Sequence, residues 1–87
     1  MFYGNIKINI YIMEINEFIE KFATVFDETD AKTLTPETYF KELDEYSSLT
    51  LLSIIAFADE NFDVAISGKE IRGAETIQDL FELIKSK

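Results

Sequence analysis

Between Glu14 and Phe26 the apolar residues Ile15, Phe18, Ile19, Phe22, Ala23 and Phe26 recur at i, i+3, i+4, i+7, i+8 and i+11. That period is the stripe of a helix with one buried face, and Glu14, Glu17, Glu20 and Lys21 fall on its outer side. A second stripe, Leu51, Ile54, Ile55, Ala58 and Phe62, marks another helix, and Ile77, Leu80, Phe81 and Ile84 mark a third. Between these two, Ser67 and Glu70 form an S-x-x-E capping box that opens a short helix, which Gly73 ends after Arg72. Thr76 and Asp79 resemble a second box at the start of the last helix, and Lys85 and Lys87 suit its negative end. The expected fold is all-α: a small four-helix bundle of three main helices and one short one.

Residues 27–45 form a long loop between the first two main helices. Thr35-Pro36-Glu37 reads as an N-cap with proline at the first helical position, so a short helical turn is expected through Tyr39 and Phe40. These aromatics, with Leu34 and Leu43, are the expected anchors of the loop, which needs such contacts inside a small domain. The acidic cluster Asp27-Glu28-Thr29-Asp30 lacks the glycine and the later bidentate glutamate of a calcium loop, and no metal site is expected there.

Length and composition narrow the function. Eighty-seven residues make one domain. Neither Cys nor His occurs, which excludes disulfides, Cys/His zinc sites and Cys- or His-dependent nucleophilic mechanisms within the chain. The formal charge of −9 argues against nucleic acid and for partners with basic patches. Ten of the 17 acids lie in residues 27–63, against only Lys32 and Lys41. Such a cluster is either a solvated face or a surface that steers a basic partner. No stretch approaches the roughly 18 apolar residues of a membrane span, and the start carries no signal-peptide pattern, so a cytoplasmic location is expected. Residues 1–12 alternate Ile6, Ile8, Ile10 and Ile12 in a strand-like way. They read as an extension to a domain spanning 13–87: a tail, or an edge through which a mainly monomeric chain could dimerise.

The stretch that points to chemistry is Tyr46-Ser47-Ser48-Leu49-Thr50-Leu51-Leu52, which opens the second main helix with hydroxyl residues. Ser48, Leu52, Ala56 and Asp59 share a face distinct from the apolar stripe, with Ser48 at its N-terminal tip. The Ser48 hydroxyl either caps the helix or carries an anion, which the free N–H groups and the helix dipole would favour.

The run Phe40-Lys41-Glu42-Leu43-Asp44-Glu45-Tyr46-Ser47-Ser48-Leu49, the helix ending Asp59-Glu60-Asn61-Phe62-Asp63-Val64, and the segments Ile66–Arg72 and Ala74–Leu80 together resemble the acyl carrier protein family. The resemblance spans about residues 14–84. In that family an Asp-Ser-Leu motif opens the second helix, and its serine receives 4′-phosphopantetheine from coenzyme A. Here the Asp position holds Ser47, while Ser48 and Leu49 match the serine and leucine.

The resemblance implies a bundle of acyl carrier type in which Ser48 is the attachment site. A phosphopantetheinyl transferase, with Mg²⁺, would install the arm, and its thiol would hold acyl or aminoacyl groups as thioesters for acid-activating and acyl-transferring enzymes. It further implies docking through Leu49, Leu52 and Ala56, rimmed by Glu45, Asp59 and Glu60, and an acyl-accepting core lined by Ile54, Ala58, Ile66 and Ile71. For those four, plain core packing stands as the alternative. The chain itself is expected to catalyse nothing. Two other readings remain: a carrier dedicated to amino acids, and a degenerate helical interaction module without an arm, for which Ser47 in place of Asp is the argument.

Overall fold

Apolar stripes and capping residues set the helix boundaries. In the computed structural model, which describes residues 13–87, α1 spans Ile15–Phe22, α2 Ser48–Phe62, α3 Gly68–Gly73 and α4 Ile77–Lys85. No strand occurs among the described residues, as expected for an all-α domain. The strand-like reading of residues 1–12, and any pairing of chains through them, lies outside the described residues.

The expected boxes form at α3 and α4. Ser67 Oγ accepts from the Glu70 N–H at 3.1 Å, and Glu70 Oε1 accepts from the Ser67 N–H at 3.0 Å. Thr76 and Asp79 repeat the exchange with bonds of 3.0 and 3.1 Å. Each pair satisfies two backbone donors that a helix start otherwise leaves open.

The first helix is shorter than its stripe. After Phe22 the chain tightens into a 3₁₀ turn at Ala23–Val25, where the Thr24 hydroxyl bonds back to the Lys21 carbonyl at 2.6 Å. Phe26 then leaves the helix with extended backbone, φ −103° and ψ 150°. It remains buried because its ring still meets Phe22 edge-on, with centroids 5.6 Å apart.

The buried face of α2 is also displaced from the expected stripe. Thr50, Ile54, Phe57, Ala58 and Phe62 are buried, whereas Leu51 and Ile55 are half-buried. The displacement follows from Phe57, whose ring packs against Phe18 and Phe22 of α1 at 5.8 Å each and against Phe62 at 5.5 Å. At its C-terminal end α2 stops on Asp63 in the left-handed region, φ 58°, and the Val64 N–H closes the end by bonding to the Ala58 carbonyl at 3.2 Å.

In the long loop the Thr35-Pro36 segment forms a closed turn, not the expected helical turn. The Thr38 N–H bonds to the Thr35 carbonyl at 3.0 Å, and the Thr38 hydroxyl accepts from the Thr35 N–H at 2.9 Å. The turn serves α4, because the Pro36 and Thr38 carbonyls accept from the Gln78 and Ile77 N–H groups at 2.9 and 3.0 Å. Those are first-turn donors with no partner inside their own helix. A 3₁₀ turn follows at Phe40–Glu42. Phe40 and Leu34 anchor the loop as expected, Leu43 is half-buried, and Tyr39 is 52% exposed.

All of these elements meet on phenylalanine. Phe18, Phe22, Phe26, Phe40, Phe57, Phe62 and Phe81 are buried and linked by ring contacts into one cluster. Phe18 and Phe22 are its two hubs, and Phe18 is the one that reaches both α2 and α4, in contact with Phe22, Phe57, Phe62 and Phe81 at 5.0–6.0 Å. Substituting Phe18→Ala removes contacts to α2 and α4 together and is expected to cost about 3–5 kcal/mol, a large part of the stability of a domain this size. Urea unfolding followed by circular dichroism measures the loss, and a change under about 1 kcal/mol would contradict the hub role.

Candidate functional site

Two serines meet at the start of α2, and the backbone separates their roles. Ser47 is extended, φ −151° and ψ 179°, and occupies the N-cap. Its hydroxyl accepts from the Thr50 N–H at 3.4 Å, and its own N–H donates to Thr50 Oγ1 at 3.0 Å. The Thr50 side chain is buried and completes the arrangement by donating to the Glu45 carbonyl at 3.2 Å. Capping therefore falls to Ser47. Ser48 is the first helical residue; it is exposed, and its hydroxyl forms no hydrogen bond with the described residues.

Glu45 acts on the loop. Its carboxylate accepts from the Asp27 and Glu28 N–H groups at 2.9 and 3.1 Å and from the Thr29 hydroxyl at 2.6 Å. The Thr29 hydroxyl, with the backbone N–H groups of residues 27–29, holds this carboxyl below the ordinary glutamate range against the opposing effect of desolvation. The acidic stretch after α1 is thus folded around a carboxylate through its N–H groups. Through the Glu45 carbonyl and Thr50, the same residue ties that stretch to the cap of α2.

The other expected residues divide into two groups. Leu49 is 74% and Leu52 59% exposed, and Ala56, Asp59 and Glu60 are exposed on the same arc of α2. Ile54, Ala58, Ile66 and Ile71 are all buried and belong to the single core with the phenylalanines. Beside the serine pair, a shallow groove of about 300 Å³ runs between α2 and the end of the 3₁₀ turn, lined by Val25, Phe26, Glu45, Ser47, Leu49 and Ser53 among others. Sequence reasoning missed Thr50 as the third member of the cap, although a hydroxyl three residues after Ser47 is the spacing of a capping box.

No protein-family model, curated protein or solved structure matches the chain.

The division of labour between the serines is measurable. Ser47→Ala is expected to lower unfolding free energy by about 1 kcal/mol, the typical cost of a lost N-cap. Ser48→Ala should stay within about 0.5 kcal/mol, as for an exposed side chain without a partner. Equal costs in urea unfolding would contradict the assignment of the cap.

Glu45 supplies a pH signature. A carboxyl whose folded pKa lies below its unfolded value stabilises the fold above that unfolded value and loses the contribution as pH falls through the folded one. The amide resonances of Asp27 and Glu28 should therefore titrate with a midpoint below the ordinary 4.5, and Glu45→Gln should remove that transition. A midpoint at or above 4.5 would contradict the hydrogen-bonded carboxylate.

Proposed function

We propose that the chain is a carrier of acyl carrier type, with Ser48 as the attachment point for a 4′-phosphopantetheine arm. The observation that carries this reading is the free Ser48 hydroxyl at the first position of α2, beside a serine that already performs the cap.

The residues present fit the arm's phosphate. An anion on Ser48 Oγ would sit at the positive end of a 15-residue helix, next to first-turn N–H groups that have no partner within the helix. Glu45, the nearest carboxylate in sequence, spends its oxygens on residues 27–29. Ser47 also takes over structurally from the family's aspartate, since either side chain accepts from the N–H three residues on. That weakens the argument for a degenerate interaction module. In the modification, Ser48 Oγ would bond to the pantetheine-side phosphorus of coenzyme A. The P–O bond to the nucleotide-side phosphate would break, adenosine 3′,5′-bisphosphate would leave, and a base on the transferase would take the serine proton.

When bound, the arm supplies a thiol, which a chain without cysteine otherwise lacks. This chain's own contribution is positional. Leu49, Leu52 and Ala56 offer an apolar strip to a partner, and Asp59 and Glu60 extend it with negative charge for a basic enzyme surface. Ile54, Ala58, Ile66 and Ile71 would line the route of an acyl chain into the core, at the expense of the packing they now share. No helix among the described residues is long and apolar enough to cross a membrane. Whether the cargo is a fatty acid or an amino acid is read by which acid-activating enzyme loads the modified protein.

The test is intact mass after incubation with coenzyme A, Mg²⁺ and a broad-specificity phosphopantetheinyl transferase. A gain of one phosphopantetheine unit is expected, abolished by Ser48→Ala and retained by Ser47→Ala. No gain on folded protein with several transferases would overturn the carrier reading in favour of the interaction module.

A further inference from the structure

The junction of α2 and α3 places a cation close to the start of α2. Gly68, the first residue of α3, packs so tightly on α2 that a Cβ there would lie 3.1 Å from Leu51 Cδ2. The same point is 3.8 and 3.9 Å from the two terminal nitrogens of Arg72, so the guanidinium lies alongside Gly68 and near Leu51. Leu51 follows Ser48 by three residues, which makes the two neighbours on the helix surface, one turn apart. Tyr46, two residues before Ser48, lies within the field of the same charge: burial pushes its phenol up and Arg72 pulls it back. Arg72 thus has a neighbour on each side of Ser48 in sequence.

Its position is fixed from behind. Ile71 is fully buried, and Lys41 Nζ donates to the Arg72 carbonyl at 2.6 Å, which holds the end of α3. The guanidinium itself forms no hydrogen bond or ion pair with the described residues, in a chain that carries 17 carboxylates. The nearest carboxylate along α3, Glu70, is engaged by Lys87 and the Ser67 N–H. An arginine with all five donors open suits a phosphoryl group, whose oxygens match the guanidinium fork in a way that an ammonium does not reproduce.

We propose that Arg72 is a positioning residue that pairs with the phosphoryl oxygens of a group carried on Ser48 and directs that group over Leu51 toward α3. The inference rests on the carrier reading of Ser48, and it adds a residue from another helix to the site. Neither the helix dipole nor the N–H groups at the start of α2 select a direction around the helix. A single cation on the α3 side does.

The experiment is a ³¹P titration of the full chain carrying phosphoserine at position 48, a group whose second ionisation lies near pH 6. A guanidinium beside the phosphate favours its dianion and lowers the midpoint. Arg72→Gln is expected to raise that midpoint by about 0.2–0.7 of a pH unit, and Arg72→Lys by less, the size of an exposed ion pair. Lys69→Gln removes a neighbouring cation of α3 and measures the effect of net charge alone. A shift for Arg72→Gln no larger than that of Lys69→Gln would overturn the proposal. Phosphoserine is installed without a transferase, so this result separates from the mass experiment. A specific Arg72 shift combined with no arm transfer would support the pairing and overturn the carrier reading alone.

Discussion

The packing of Phe18 is the contact on which the rest of this domain depends. One ring on α1 meets Phe57 and Phe62 of α2 and Phe81 of α4, so three helices share a single side chain as their common surface. None of these helices has an independent claim to stability. At eight, fifteen and nine residues, two of them fall below the length at which isolated helices persist in water, and the third is marginal. Burial of their apolar faces against one another is what makes them helices, and the seven phenylalanines of the aromatic cluster form the centre of that core.

Around that core the long loop between α1 and α2 acts as a structural element through its polar groups. It lends the Pro36 and Thr38 carbonyls to the open end of α4, and it wraps residues 27–29 around the Glu45 carboxylate. Glu45 in turn holds Thr50 through its carbonyl, and Thr50 holds Ser47. The acidic loop and the start of α2 are therefore one hydrogen-bonded unit. A segment this long could not stay in place on Phe40 and Leu34 alone without leaving backbone donors unsatisfied.

The consequence for function lies in what this unit leaves free. The side chains that flank Ser48 in the cap are engaged, since Ser47 caps, Thr50 braces the cap and Glu45 closes the loop. The Ser48 hydroxyl is not, and it faces water beside an apolar strip of Leu49, Leu52 and Ala56. The modification proposed for Ser48 would need a well-held base and an unencumbered oxygen, and the same local network offers both. The proposed part of Arg72 has the same logic, with a side chain held by its backbone and by Ile71 while its charged end stays unpaired.

Much of this was legible in the residues, because helix periodicity and capping boxes are local. The stripes of α1 and α4, the boxes at Ser67 and Thr76, the stop at Gly73 and the exposure of Leu52 and Ala56 all follow from interactions within about four residues. What could not be read locally is how one helix turns against another. The inward face of α2 is centred toward Ile54 and Phe57 because Phe57 must meet Phe18 and Phe22, which belong to another helix. α1 gives way before Phe26, whose extended backbone still keeps its ring on Phe22, and the turn at Thr35-Pro36 lends the Pro36 and Thr38 carbonyls to α4. The sequence by itself determined four helices and a serine at the mouth of the second. Only the tertiary structure decided which face of α2 turns inward, and that the Arg72 guanidinium lies alongside Gly68 and near Leu51, because the α2–α3 junction brings together residues distant in the chain.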